Sequence, residues 1–263
     1  MPEVKVAFDD AAAYEHVMGR WSGAIGARFL DWLAPASGQR WLDVGCGTGA
    51  FTELVLTHCS PGSIVGVDPT AAQIDYARRR IPAGEFRTAD ATALPFADGE
   101  FDIVASALVI NFIPDRAKAL AEMRRVLRPG GMVTAYLWHR SATANDAPFA
   151  PIERGLEIIG ANVLRPPMRP ESAPEGARTA LETIGFSDIA ITILEATRTF
   201  PSFADYWETH CLPIAPPGQS IAALSDDGRA RLRATMQAML PAVADGTVSY
   251  SSRALAFKAR KPN

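Results

Sequence analysis

Leu42-Asp43-Val44-Gly45-Cys46-Gly47-Thr48-Gly49 lies between a short run that reads as a strand, Arg40 to Val44, and a helical stretch from about Ala50 to His58. Alternating glycines between a strand and a helix let the backbone turn sharply. They also let a ligand approach main-chain N–H groups with no Cβ in the way. The spacing Gly45-x-Gly47-x-x-Ala50 satisfies the relaxed dinucleotide fingerprint. Asp43 points elsewhere, because a carboxylate two residues before the first glycine stands where a dinucleotide fold places apolar packing. It suits the amino end of a cofactor that carries an ammonium group. Asp68, at the tip of the next strand, can accept the hydroxyl protons of a ribose in either case.

Outward from this loop, residues 38–138 alternate short apolar runs with longer helical stretches, the pattern of a parallel sheet covered by helices. Strands are predicted at Arg40–Val44, Ser63–Val67, Glu85–Thr88, Phe101–Ala107 and Met132–Trp138. Helices are predicted at 50–58, at 70–80 and after the capping residue Asp115, where Leu120, Met123, Val126 and Leu127 recur at helical spacing and Pro129-Gly130-Gly131 ends the run. Residues 141–174, rich in Pro, Ala and Arg, read as an insertion with one helix at Ile152–Ile159. A helix at 176–184 capped by Gly185, a sixth strand through Ile189, Ile191 and Ile193, a second insertion at 201–245 and a seventh strand at 247–258 complete the chain. Helical patterns in the second insertion surround Tyr206 and cover Asp226 to Met239. Two strands after the insertions permit antiparallel closure at one edge of the sheet.

The 263 residues carry a net charge of -3, which argues against a polynucleotide partner, since phosphate binding draws on a basic face. Arg78-Arg79-Arg80 falls at a helix C-terminus, where cations complement the helix dipole. Cys46, Cys59 and Cys211 are odd in number and lack C-x-x-C spacing, so neither a disulfide framework nor a metal site is expected, and a reducing cytoplasm fits. The N-terminus lacks the basic and apolar regions of a signal peptide. The most apolar window, Ile103 to Ile113, is too short to insert across a membrane. Oligomeric state is not legible.

The chain resembles the class I S-adenosylmethionine-dependent methyltransferases, in the group similar to the ubiquinone/menaquinone biosynthesis enzymes. The resemblance rests on five ordered blocks: Leu42 to Gly49, Gly66-Val67-Asp68, Ala89-Asp90-Ala91, Phe101-Asp102-Ile103-Val104, and Leu127-Arg128-Pro129-Gly130-Gly131. It implies an α/β, Rossmann-like fold: a seven-stranded, mostly parallel sheet with an antiparallel closing strand, helices on both faces and lid insertions. It also implies one methyltransferase domain over 1–263, with N-terminal cofactor-covering helices at 9–30, a cofactor-binding core at 38–138 and acceptor lids at 141–174 and 201–245.

By the same resemblance, Asp43 would sit near the methionine ammonium, and Gly45, Cys46 and Gly47 would pass close to the cofactor. Asp68 would bind the ribose hydroxyls with Pro69 packed beside the adenosine. Asp90 would accept from the adenine amine, the Ala91 N–H would meet a ring nitrogen, and Ser106 would face the methionine end. Tyr14, Met18 and Trp21 recur at helical spacing on a segment that folds over the cofactor in similar enzymes, and Arg20 would pair with the methionine carboxylate. The same residues also suit the apolar stripe of a packing helix.

The implied reaction is transfer of a methyl group to a small organic acceptor, leaving S-adenosylhomocysteine. His139, just after the fifth strand, is the first candidate for a general base, and His16 the second, although many methyl transfers need none. His58 reads as a helix-terminal residue, and His210, in Tyr206-Trp207-Glu208-Thr209-His210, belongs to a cluster suited to core packing or to an acceptor pocket. Cys46 suits backbone contact rather than nucleophilic chemistry. The strand at 101–107 is not followed by an Asp/Asn-Pro-Pro-aromatic run, which argues against exocyclic amines of DNA bases, and the cysteines are not clustered as arsenic methylation would require. Two rivals remain at the level of sequence: an NAD(P)-dependent oxidoreductase and a non-catalytic S-adenosylmethionine-binding protein.

Overall fold

The computed structural model describes residues 15–140, 145–165, 169–213, 215–240, 243 and 245–263. Seven strands form one sheet: β1 (Arg40–Val44), β2 (Ser63–Asp68), β3 (Glu85–Thr88), β4 (Phe101–Ala107), β5 (Leu127–Trp138), β6 (Ser187–Phe200) and β7 (Val248–Arg260), in the order β3-β2-β1-β4-β5-β7-β6. All pairings up to β5 are parallel, whereas β7 runs antiparallel to both neighbours, so it is the closing strand. The sequence reading of the fold holds. In β1 the four residues after Arg40 are all buried, as a strand covered on both faces requires.

The helices are α1 (Arg20–Leu33), α2 (Ala50–His58), α3 (Ala71–Arg80), α4 (Arg116–Val126), α5 (Ala150–Ile158), α6 (Pro174–Ile184), α7 (Phe203–Cys211), α8 (Pro216–Ala222) and α9 (Asp226–Met239). A π-helical turn, Glu15–Gly19, leads into α1. Asp115 caps α4 by accepting the Lys118 N–H at 3.0 Å. Two cores flank the sheet. On one face Trp21, Ile25 and Phe29 of α1 and Val55 of α2 pack against Trp41, Ile103 and Tyr136. On the other, Leu120, Met123 and Val126 of α4 and Leu181 of α6 meet Val44, Val104 and Val133.

Several boundaries differ from the sequence reading, those of α4, β5 and β6 with a plain physical reason. The helix α4 stops at Val126, before Pro129, because the residue preceding a proline is driven out of the helical region. The strand β5 then begins at Leu127 and absorbs Arg128 to Gly131 in a register shift between Phe101 and Ile103 of β4. The strand β6 runs on to Phe200, its last six residues alternating exposed and buried beside the first half of β7. Pro216-Pro217 starts the short helix α8, where prolines fit because first-turn N–H groups have no helical partner.

The insertions meet in a third core. Ile152 and Leu156 of α5 pack with Phe203, Tyr206 and Trp207 of α7, Leu232 and Met236 of α9, and Phe200 and Val248 from the strand ends. Beneath it Glu153, 1% exposed, accepts from Arg140 (2.8 Å), Asn145 (2.9 Å) and Arg165 (3.1 Å). Among the described residues no helix is long and apolar enough to cross a membrane, and no group of three His, Cys, Asp or Glu side chains could hold a metal ion.

Candidate functional site

A cleft of about 300 Å³ opens beyond the carboxyl ends of β1, β2 and β4, the position at which open α/β sheets bind ligands. Its floor is the glycine loop. The N–H groups of Gly45 and Cys46 both donate to the Val67 carbonyl, at 2.7 and 2.9 Å, which fastens the loop to β2. Gly45, Gly47 and Gly49 have φ of 79°, 52° and 83°, left-handed values that a Cβ would disfavour. At Gly45 a Cβ would also stand 2.4 Å from the Val109 side chain. At Gly47 a Cβ would meet nothing nearer than Gln73 Oε1 at 3.9 Å, so that glycine keeps the cleft itself clear.

Asp68 stands on the cleft wall, its carboxylate oriented by main chain from two loops. Gly47 N–H donates to Oδ2 at 3.1 Å and Thr70 N–H to Oδ1 at 2.9 Å. Each carboxylate oxygen has a further lone pair for a ligand hydroxyl. Asp90 and Ala91 line the same wall with Pro69. Asp90 Oδ1 accepts both the N–H and the hydroxyl of Thr92, which hold its carboxyl below the usual range.

Asp43 is buried under the loop. Thr52 Oγ donates to its Oδ2 at 2.7 Å, while Oδ1 is buried with no hydrogen-bond partner among the described residues. Burial pushes its carboxyl up to about 7, the Thr52 bond opposes that, and the nearby Asp68 charge adds to it. Burial, with Asp43 and Asp68 close by, also pushes the Cys46 thiol far up, so this cysteine is no nucleophile.

The opposite half of the cleft is apolar. Leu108, Val109, Phe112, Ile113 and Pro114 follow β4 around its mouth, and Phe112 is 46% exposed. Ser22 of α1, Phe51 of α2 and Tyr136 of β5 reach the cleft from the other face. The mouth is tied to the first insertion by two polar contacts: Asn111 donates to Ser172 Oγ at 3.0 Å and Arg116 to Glu171 at 2.9 Å.

Not every residue singled out in the sequence reaches this place. The cleft brings together Gly45, Cys46, Gly47, Asp68, Pro69, Asp90 and Ala91, with Asp43 directly beneath. Ser106 is buried and donates to the Val44 carbonyl at 3.0 Å, so it ties β4 to β1 instead of lining the cleft. His139 is absent from the lining, and its Nδ1 lies 2.9 Å from Asp146 Oδ2. Its neighbour Trp138 packs edge-on against Trp21. His210 is core: Nδ1 donates to the Tyr206 carbonyl at 2.7 Å, and burial lowers its pKa to about 4. His58 Nδ1 donates to Leu54 O at 3.0 Å within its own helix. Tyr14 and the side chains of His16 and Arg20 lie outside the described residues. Sequence reasoning missed Thr52, Val109 and Phe112. Only Phe112, an aromatic just past a strand end, carried a visible signal.

An open, mostly parallel sheet with a glycine loop and acidic residues at successive strand ends defines a nucleoside-cofactor-binding α/β protein. Residues 42–135 match the Methyltransferase domain family. The chain is 37% identical over 148 residues to a demethylmenaquinone methyltransferase of Renibacterium salmoninarum, covering 52% of this chain and 60% of that one. It is 41% identical over 108 residues to a ubiquinone/menaquinone biosynthesis C-methyltransferase of Paracoccus denitrificans, covering 39% and 43%. These matches span less than two thirds of the relatives' own lengths. The fold superposes on Haemonchus contortus phosphoethanolamine N-methyltransferase 2 in complex with S-adenosyl-L-methionine, with a TM-score of 0.56 at 22% identity over 95% of this chain and 56% of that one. Residues 42–135 thus carry a methyltransferase domain, and S-adenosylmethionine is the cofactor of such domains. The dinucleotide reading of the glycine loop is thereby set aside.

The residues present fit this cofactor. The buried, unpartnered Oδ1 of Asp43 offers an acceptor to an ammonium group, and the space kept clear at Gly47 is the kind of cradle a nucleoside needs.

Proposed function

We propose that the protein methylates a small organic acceptor at an oxygen, nitrogen or carbon nucleophile. The observation that carries this reading is the division of one cleft into an acidic, main-chain-lined half at Gly45–Gly47, Asp68 and Asp90 and an apolar half at Leu108–Val109 and Phe112–Pro114. When bound, S-adenosylmethionine supplies a methyl group already activated on a sulfonium. The chain's residues then have to orient and to exclude water. Asp68 and Asp90 hold the nucleoside, and Asp43 holds the amino end. Val109, Phe112 and Ile113 give an apolar acceptor body a dry wall against the reacting end. The insertions at 141–174 and 201–245 serve as the acceptor lid, and the three unpaired cysteines suit a reducing compartment such as the cytoplasm.

The test is release of S-adenosylhomocysteine against a panel of phenols, amines and quinone precursors. Turnover with at least one is expected. Silence across the panel, with cofactor binding intact by calorimetry, would favour a protein that binds the cofactor without catalysis. The reading routes no proton through His139, which stands off the cleft beside Asp146. The substitution His139→Ala is expected to change the single-turnover rate by less than about threefold, and a loss of about 100-fold would make it the base.

A further inference from the structure

A second cleft, of about 220 Å³, lies at the other edge of the sheet, where α1 ends, β1, β4 and β6 begin and β7 finishes. Its walls carry Arg128, Lys258 and Arg260 against Asp102 and Asp188. Asp102 is already engaged twice, by Arg128 and by Arg40 at 3.1 Å, and these guanidiniums draw its carboxyl down to about 2. Among the described residues the other two cations pair with no carboxylate. Lys258 Nζ donates to the Trp32 carbonyl at 3.3 Å and lies 4.6 Å from the Trp32 ring, and Arg260 donates to the Gly130 carbonyl at 2.8 Å. A chain with a net charge of -3 thus holds an excess of positive charge in one concave place.

The backbone is shaped here as well. Ala34 and Asp188, both on the cleft walls, have φ of 46° and 50°, two of the four left-handed non-glycine residues among those described. Such conformations concentrate at ligand sites and tight turns.

We propose that this cleft is a second ligand site, for a small organic anion bearing carboxylate or phosphate, held by Lys258, Arg260 and Arg128. Charge-assisted bonds to Lys258 and Arg260 would replace bonds that these cations now make to neutral carbonyls. The helix α1 touches both clefts, with Ser22 at the cofactor cleft and Leu33 at this one.

The experiment follows backbone amide shifts of the full chain by NMR during titration with inorganic phosphate and, separately, malonate, at ionic strength held constant with sodium chloride. Saturable shifts at Gly130, Asp188 and Ala259 are expected with at least one anion, the two arms telling phosphate from carboxylate chemistry. The double substitution Lys258→Gln with Arg260→Gln should weaken that binding by about tenfold or more. S-adenosylhomocysteine affinity, measured on the same double variant, reports that it is folded. Non-saturating shifts, shifts confined to Gly45–Gly49, or equal binding by the folded double variant would overturn the proposal.

Discussion

Asp43 has one oxygen satisfied by Thr52 and the other buried without a partner, and its folded carboxyl sits at about 7 against an ordinary value of 3.8. Between these two values the folded protein keeps a proton that the unfolded chain has released, so stability falls as pH rises through that interval. Below it both states are protonated, and above it the loss is complete. The variant Asp43→Asn cannot titrate. It should therefore gain on the wild type by at most about 1.4 kcal/mol per pH unit across the window, read from urea unfolding at about pH 4.5 and 7.5. Parallel stability curves for the two proteins would mean that the carboxyl is not perturbed. Asp68 tests the opposite wall: Asp68→Ala should weaken cofactor binding by about 1–3 kcal/mol in calorimetry, and unchanged affinity would remove it from the site. Asp43 and Asp68 were legible because each occupies a fixed place relative to a strand end. Ser106 was misplaced for a reason of parity, since successive strand residues alternate faces and the tip of β4 could not be fixed to the residue from sequence.

At the scale of elements, the parallel core was readable from alternation of period and the residues that punctuate it. The insertions were not. Their helices α5, α7 and α9 have little to bury against the sheet and find their apolar partners in each other, a pairing between segments far apart in sequence that no local pattern announces. Glu153 ties this assembly to the segment just past β5 through Arg140, and binds Arg165 of its own insertion. Its replacement, Glu153→Gln, leaves Arg140 short of its counter-charge in a buried place, whereas the exposed Arg165 keeps Glu157, and should lower stability by about 3 kcal/mol. The measurement is the urea midpoint. A shift too small to resolve would mean that the cluster is solvated and that the apolar core alone carries the insertions.

The whole molecule distributes charge unevenly. The net value is -3, the cofactor cleft is acidic, and the excess of cations gathers at the far edge of the sheet. A polynucleotide acceptor would need a basic face beside the cofactor cleft. Duplex DNA and single-stranded RNA should therefore show no retardation by the protein at about 0.15 M salt, and strong salt-dependent binding would reopen that class of acceptor.

The placement of β7 bears on how the chain is made. The strand β6 pairs with β7 alone, and β7 separates it from β5. As the polypeptide leaves the ribosome, the five parallel strands and α4 can assemble first, but Ser187–Phe200 emerges with nothing to zip onto. It waits until the 47 residues between the two strands, and then Val248–Arg260, have been synthesised. Sheet completion is thus a late, long-range event in translation. During that interval the outer edge of β5 and the apolar side chains of β6 are the surfaces a nascent-chain chaperone would find.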